Sequence, residues 1–163
     1  MRAWFDIYEL SIHSKIDRAG IEEATQSIHA LIEKEIAAGI APNHIFLAGF
    51  SQGAAMTLIA GLQYDKPLAG LIALSGFLPL APEILAKANA MNRQLPIFIA
   101  HGKQDPIVPF EMGEMTYEAL LQAGYPLSWH AYIMAHMVCD QEIEDISRWI
   151  NQGLADDQGD ATR

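Results

Sequence analysis

Leu47-Ala48-Gly49-Phe50-Ser51-Gln52-Gly53-Ala54 is the stretch that decides how this chain reads. An apolar run, His44 to Ala48, leads into it, and a helix-like run, Gln52 to Leu62, leads out. It contains Gly-x-Ser-x-Gly. A chain that passes from strand to helix through so tight a turn holds its central residue in a strained conformation. Gly49 and Gly53 lack a Cβ, so strand and helix are expected to approach closely there. The bend lifts the Ser51 hydroxyl over the carboxyl end of the sheet. It also aims the Gln52 N–H, at the helix start, toward a place where an oxyanion can sit.

Outward from this turn, strand and helix patterns alternate. Ile21 to Ala38 reads as an amphipathic helix, with Ile21, Ala24, Ile28, Leu31, Ile32 and Ile36 on one side. Gly39 and Pro42 end it. His44–Ala48 is then a strand and Gln52–Leu62 a helix, followed by a strand at Ala69–Leu74 and a short helix at Pro82–Ala90. Ile97–His101, Phe110–Ala123, Leu127–Met134 and Cys139–Asn151 continue the pattern as strand, helix, strand, helix. The strands are nearly continuous apolar runs, as in a parallel sheet covered on both faces. The fold class is α/β. Residues 1–155 read as one domain and 156–163 as a polar, frayed tail. Met1–Tyr8 reads as a brief strand or packed loop, and Glu9–Gly20 as loop.

Composition narrows the function. The chain has 163 residues, 51% hydrophobic and 18% charged, which suits a folded globular domain. A net charge of −10 argues against a nucleic-acid partner and against electrostatic docking on anionic membranes. The lone Cys139 excludes an internal disulfide framework and fits a reducing compartment. No apolar run reaches membrane-spanning length, and no signal segment opens the chain, so a cytoplasmic location is expected.

Function in such sheets gathers beyond the carboxyl ends of the strands. Ser51 lies past the first repeated strand. Asp105 lies past the third, in His101-Gly102-Lys103-Gln104-Asp105-Pro106-Ile107-Val108-Pro109. His136 lies past the fourth, in Met134-Ala135-His136-Met137. Serine, aspartate and histidine in this chain order are the α/β-hydrolase arrangement. His136 would take the serine proton and return it, and Asp105 would hold its tautomer. Asp105-Pro106 also fits a plain turn, and His136 a capping residue. Phe77, Leu78 and Leu80, past the second strand, and Met134 and Met137, flanking His136, are candidates for an acyl-binding wall. Phe50 and Trp4 are weaker ones. His101 reads as a support for the Asp105 loop, His13 and His29 as surface residues, and His44 and His130 as packed or edge residues. A metal site from His101, Asp105 and His136 lacks a close histidine pair, and neither metal nor cofactor is expected.

The motifs GFSQGAAM, LSGFLP, HGKQDPIVP and AHMVCDQEI, together with MRAWFDI at the start, resemble the bacterial carboxylesterase/acyl-protein thioesterase family of α/β-hydrolases. The resemblance runs from Met1 to about Ile150. It implies cofactor-free hydrolysis of esters and thioesters with hydrophobic acyl groups, on small or lipid substrates or acylated proteins, and a homodimer. Ala135 and Met137 depart from the family's Gly and small polar residue around the histidine. The family also carries upstream strands and a His-Gly-Leu-Gly-like oxyanion loop, so the resemblance implies an N-terminally truncated hydrolase. A catalytically silent remnant serving as a binding or dimerisation module is the alternative.

Overall fold

A computed structural model describes Trp4, Phe5 and residues 17–160, with the side chains of 155–160 outside that description. Helix α1 (Arg18–Ala37) is capped by the Asp17 carboxylate, which accepts from the Gly20 N–H at 2.9 Å. Strand β1 (Phe46–Phe50) enters the Ser51 turn and α2 (Gln52–Gln63) leaves it. Then follow β2 (Gly70–Leu74), α3 (Ala81–Ala86), β3 (Ile97–Gly102), α4 (Phe110–Gln122), β4 (Leu127–Tyr132) and α5 (Asp140–Asp160). The four strands are all parallel and lie in the order β1-β2-β3-β4.

The sheet steps one way throughout. Same-handed crossovers must then place every connecting helix on one face. The core shows this. Leu71, Ala73, Ile97 and Ile99 point into the main cluster with Ile28 and Ile32 of α1, most of α2, Ile84 of α3 and Leu120 of α4. The alternate residues Ile72, Phe98 and Ala100 point the other way, against Ile146, Trp149 and Ile150 of α5. Helix α2 is buried along nearly its whole length, from Ala54 to Leu62, because sheet and α1 cover it from two sides.

Several boundaries differ from the expected ones. His44 is not in a strand: Pro42–His44 forms a 3₁₀ turn, started by proline, and β1 runs two residues further, to Phe50. Helix α3 stops at Ala86, and a second 3₁₀ turn, Ala90–Asn92, follows under the Asn89 cap. Strand β4 ends at Tyr132, because the next carbonyls turn toward the Asp105 loop: the Gln104 N–H donates to the Met134 carbonyl at 3.1 Å. Helix α5 continues to Asp160, through most of the expected frayed tail. Residues 18–20 open α1, where loop was expected. Apart from Trp4 and Phe5, the expectations for residues 1–16 lie outside the described residues. No described helix is long and apolar enough to cross a membrane.

Candidate active site

Ser51 sits between β1 and α2 with φ 56° and ψ −119°, in the positive-φ region that side chains avoid. Its N–H donates to the Leu74 carbonyl at 2.8 Å, and its carbonyl accepts from the Ala54 N–H at 3.0 Å. The strained residue is therefore locked on both sides, by β2 and by α2. Gly49 makes the turn possible: a Cβ there would lie 2.1 Å from the Gly53 carbonyl oxygen. Gly53 differs from expectation, since a Cβ on it would meet nothing within 4 Å. The close approach needs the first glycine of the motif and not the second. Gly76 is a further requirement, with a Cβ position 2.6 Å from the Ser51 carbonyl oxygen.

Ser51, His136 and Asp105 converge at the carboxyl end of the sheet. The His136 Nε2 lies 3.0 Å from the Ser51 Oγ, and its Nδ1 lies 2.7 Å from the Asp105 Oδ2. The Asp105 side chain is fully buried, and the His136 side chain is partly exposed. The other Asp105 oxygen, Oδ1, accepts from the Ile107 N–H at 2.8 Å and the Val108 N–H at 2.9 Å. Burial pushes the Asp105 carboxyl up. The hydrogen bonds from His136, Val108 and Ile107 outweigh it and hold the group below the ordinary carboxylate range. A fixed anion on Nδ1 leaves Nε2 as an acceptor facing the serine hydroxyl, the arrangement needed to draw off its proton.

The surroundings support this geometry. His101 is fully buried, and its Nε2 donates to the Val108 carbonyl at 2.9 Å, so it braces the Asp105 loop as expected. Gln52 is the first residue of α2, and its N–H is among those a helix start leaves without an intrahelical acceptor. It is available to an oxyanion. Among the proposed wall residues, Leu78 is buried in the main core, with its N–H given to the Thr116 hydroxyl at 2.9 Å. Met134 is also buried, whereas Phe77 is half-buried and Met137 is exposed beside His136. Phe50 packs on the His136 ring, centroids 4.7 Å apart. His29 is half-buried rather than on the surface, against the Ala60 carbonyl at 2.8 Å. His130 stacks on Phe98. Among the described residues, no cluster of three or more His, Cys, Asp or Glu side chains is arranged to hold a metal ion.

Three features had no clear forecast in the sequence: the Gln52 side-chain bonds, the positive φ of Ser75 after β2, and Glu142, buried in the first turn of α5. The Ser75-Gly76 pair marked a strand end, which was the only signal for the second of these.

Comparison with known proteins adds independent evidence. The model of the phospholipase/carboxylesterase family matches residues 1–154. The chain belongs to this family. It is a hydrolase with an α/β-hydrolase-like fold. Its relatives in the family include acyl-protein thioesterase 1 of Gibberella zeae, 38% identical over 162 residues, with 94% of this chain and 69% of the relative covered. Carboxylesterase SOBER1 of Arabidopsis thaliana is 37% identical over 157 residues, with the same two coverages, 94% and 69%. The crystal structure of SOBER1 superposes with a TM-score of 0.89 at 36% identity, over 94% of this chain and 75% of that one. Zea mays acyl-protein thioesterase 2 gives 0.80 at 25% identity, over 93% and 72%. These family members come from fungi and plants, where the sequence motifs had pointed to bacterial ones.

Proposed function

We propose that the chain is a serine hydrolase that cleaves carboxylic esters or thioesters of apolar acyl groups through an acyl-enzyme. One observation carries the reading: the Ser51 Oγ, His136 and Asp105 form a continuous hydrogen-bonded line, 3.0 Å and 2.7 Å between successive members. A serine hydroxyl is a weak nucleophile until a base removes its proton. His136 Nε2 accepts that proton as Oγ bonds to the substrate carbonyl carbon. The carbonyl oxygen gains the negative charge and takes the Gln52 N–H. Collapse expels the alcohol or thiol, to which His136 returns the proton, and leaves Ser51 acylated. Water then repeats the sequence, with His136 again as base, and frees the acid.

Asp105 fixes the ring and stabilises the imidazolium without itself becoming protonated. The names of the relatives, a carboxylesterase and acyl-protein thioesterases, support the substrate class. The same reading admits small or lipid esters and acylated proteins as substrates, in the cytoplasm, with a homodimer as the expected assembly. The test is turnover of p-nitrophenyl esters and of an acyl thioester by wild type, Ser51→Ala and His136→Ala. Each variant should lose roughly 10³–10⁶ in kcat. Turnover that survives Ser51→Ala would place the chemistry elsewhere.

A further inference from the structure

Phe50 closes strand β1 and stands one residue before Ser51. Its backbone is fixed by the sheet, in register with Leu74 of β2, and the next N–H, that of Ser51, donates to the Leu74 carbonyl at 2.8 Å. The side chain is large and apolar, yet the residue is 37% exposed and belongs to neither core cluster. A phenyl ring outside both cores adds little to the packing that holds the fold. What it touches instead is His136: the ring centroids are 4.7 Å apart and the planes are tilted by 48°.

His136 is otherwise held at two points, Nδ1 by the Asp105 Oδ2 and Nε2 by the Ser51 Oγ. Those bonds control the tilt of the ring only through their angles, which tolerate a broad range. A ring packed alongside limits the tilt by contact. It also has an electrostatic effect. The face of a phenyl ring carries negative charge density, and a cation within about 6 Å of its centroid is attracted to it. His136 becomes a cation only once it has taken the serine proton. The attraction is then stronger in the charged intermediate than in the resting site, and an interaction of that kind raises kcat and leaves KM alone.

We propose that Phe50 is a positioning residue that limits the tilt of the His136 ring and stabilises its imidazolium, resting on the serine hydrolase reading above. One strand end then delivers the nucleophile and backs the base that activates it, from a paired and therefore rigid support. Leucine at this position keeps apolar bulk and loses the ring. Tyrosine keeps both. Among the described residues, the Asp105 carboxylate and the Ser51 hydroxyl are the groups hydrogen-bonded to His136, and both are unchanged in these variants.

The experiment compares wild type, Phe50→Leu and Phe50→Tyr in the hydrolysis of p-nitrophenyl acetate across pH. Phe50→Leu should lower kcat roughly fivefold, with KM changed by less than about twofold. The acid limb of kcat/KM should move to lower pH by about half a unit, because an imidazolium that loses the ring is less stable and gives up its proton more readily. A slower enzyme that stays active to lower pH is a combination that mere loosening of the site does not produce. Phe50→Tyr should keep most of the wild-type kcat and the wild-type acid limb. A kcat unchanged in Phe50→Leu, or an acid limb that stays in place in that variant, would overturn the proposal.

A second readout needs no turnover. Titration of the His136 imidazole, followed by NMR in histidine-labelled protein and assigned with His136→Gln, should show a midpoint about half a unit lower in Phe50→Leu than in wild type. Equal midpoints would remove the electrostatic role of the ring. A folded wild type that neither turns over esters nor reacts with a fluorophosphonate would instead remove the hydrolase reading and the part Phe50 plays in it, and the titration would still decide whether the ring favours the imidazolium.

Discussion

Ser51 carries a local backbone cost. A non-glycine residue at φ 56° costs on the order of 1–3 kcal/mol, and the surrounding bonds to Leu74 and Ala54 hold it there. Glycine relieves this strain, whereas alanine does not. Ser51→Gly is therefore expected to have a higher Tm than Ser51→Ala, against the usual order of these residues, with both inactive. Asp105→Asn should leave the fold intact and lower kcat by roughly 10³–10⁴, because an amide facing Nδ1 no longer selects the required tautomer. Steady-state kinetics beside a circular dichroism spectrum checks it. That Ser51, Asp105 and His136 meet at one end of the sheet was legible in the sequence, because each follows a strand and their order matches a known arrangement. The two hydrogen bonds of the Gln52 side chain were not. Its partners Trp4 and Phe5 are distant in the chain, and a glutamine carries no local pattern that points to them.

At the scale of elements, the strand-turn-helix unit from β1 to α2 depends on its two glycines unequally. Gly49→Ala puts a Cβ 2.1 Å from the Gly53 carbonyl, a backbone atom that cannot step aside. It should cost about 3 kcal/mol or more and abolish activity by shifting Ser51. Gly53→Ala meets nothing within 4 Å and lies inside a helix, so it should be neutral or gain up to about 1 kcal/mol. Thermal melts of the two variants give the comparison. Most elements were readable from apolar runs and periodicity, but their ends were not. Strand β1 starts late because Pro42 begins a 3₁₀ turn, and β4 stops early because the Met134 carbonyl bonds Gln104 in another loop. The first is a local signal that a longer look at Pro42 offers. The second is tertiary, and no window of sequence contains it.

For the whole molecule, pH acts through two buried carboxyls of opposite sign. Asp105 is held below its ordinary range, so the stability it contributes is present above the unfolded carboxylate value, about 4, and is lost as pH falls through the lower folded value. Glu142 is fully buried, and burial pushes its carboxyl up to about 7, against a backbone hydrogen bond at Cys139 that pulls it down. The folded state then holds a proton that the unfolded chain has released. Stability falls as pH rises from about 4.5 to about 7, by an amount on the order of 3 kcal/mol. Glu142→Gln should therefore gain in Tm relative to wild type between pH 5 and roughly pH 8, and a difference independent of pH would contradict the assignment. The α/β class and the coverage of both sheet faces were visible in the unbroken apolar strands. The strand order, and the division into one large core and a smaller one under α5, were not, because alternating burial on a doubly covered sheet leaves no polar side to mark the faces.

The central claim is that the Ser51 hydroxyl is a nucleophile activated by His136. A fluorophosphonate reacts far faster with an activated serine than with an ordinary hydroxyl, and intact-mass analysis followed by peptide mapping locates the adduct. The account predicts one adduct per chain, on the peptide that contains Ser51, lost in Ser51→Ala and strongly slowed in His136→Ala. A folded protein that stays unlabelled, or an adduct that persists after Ser51→Ala, would contradict it.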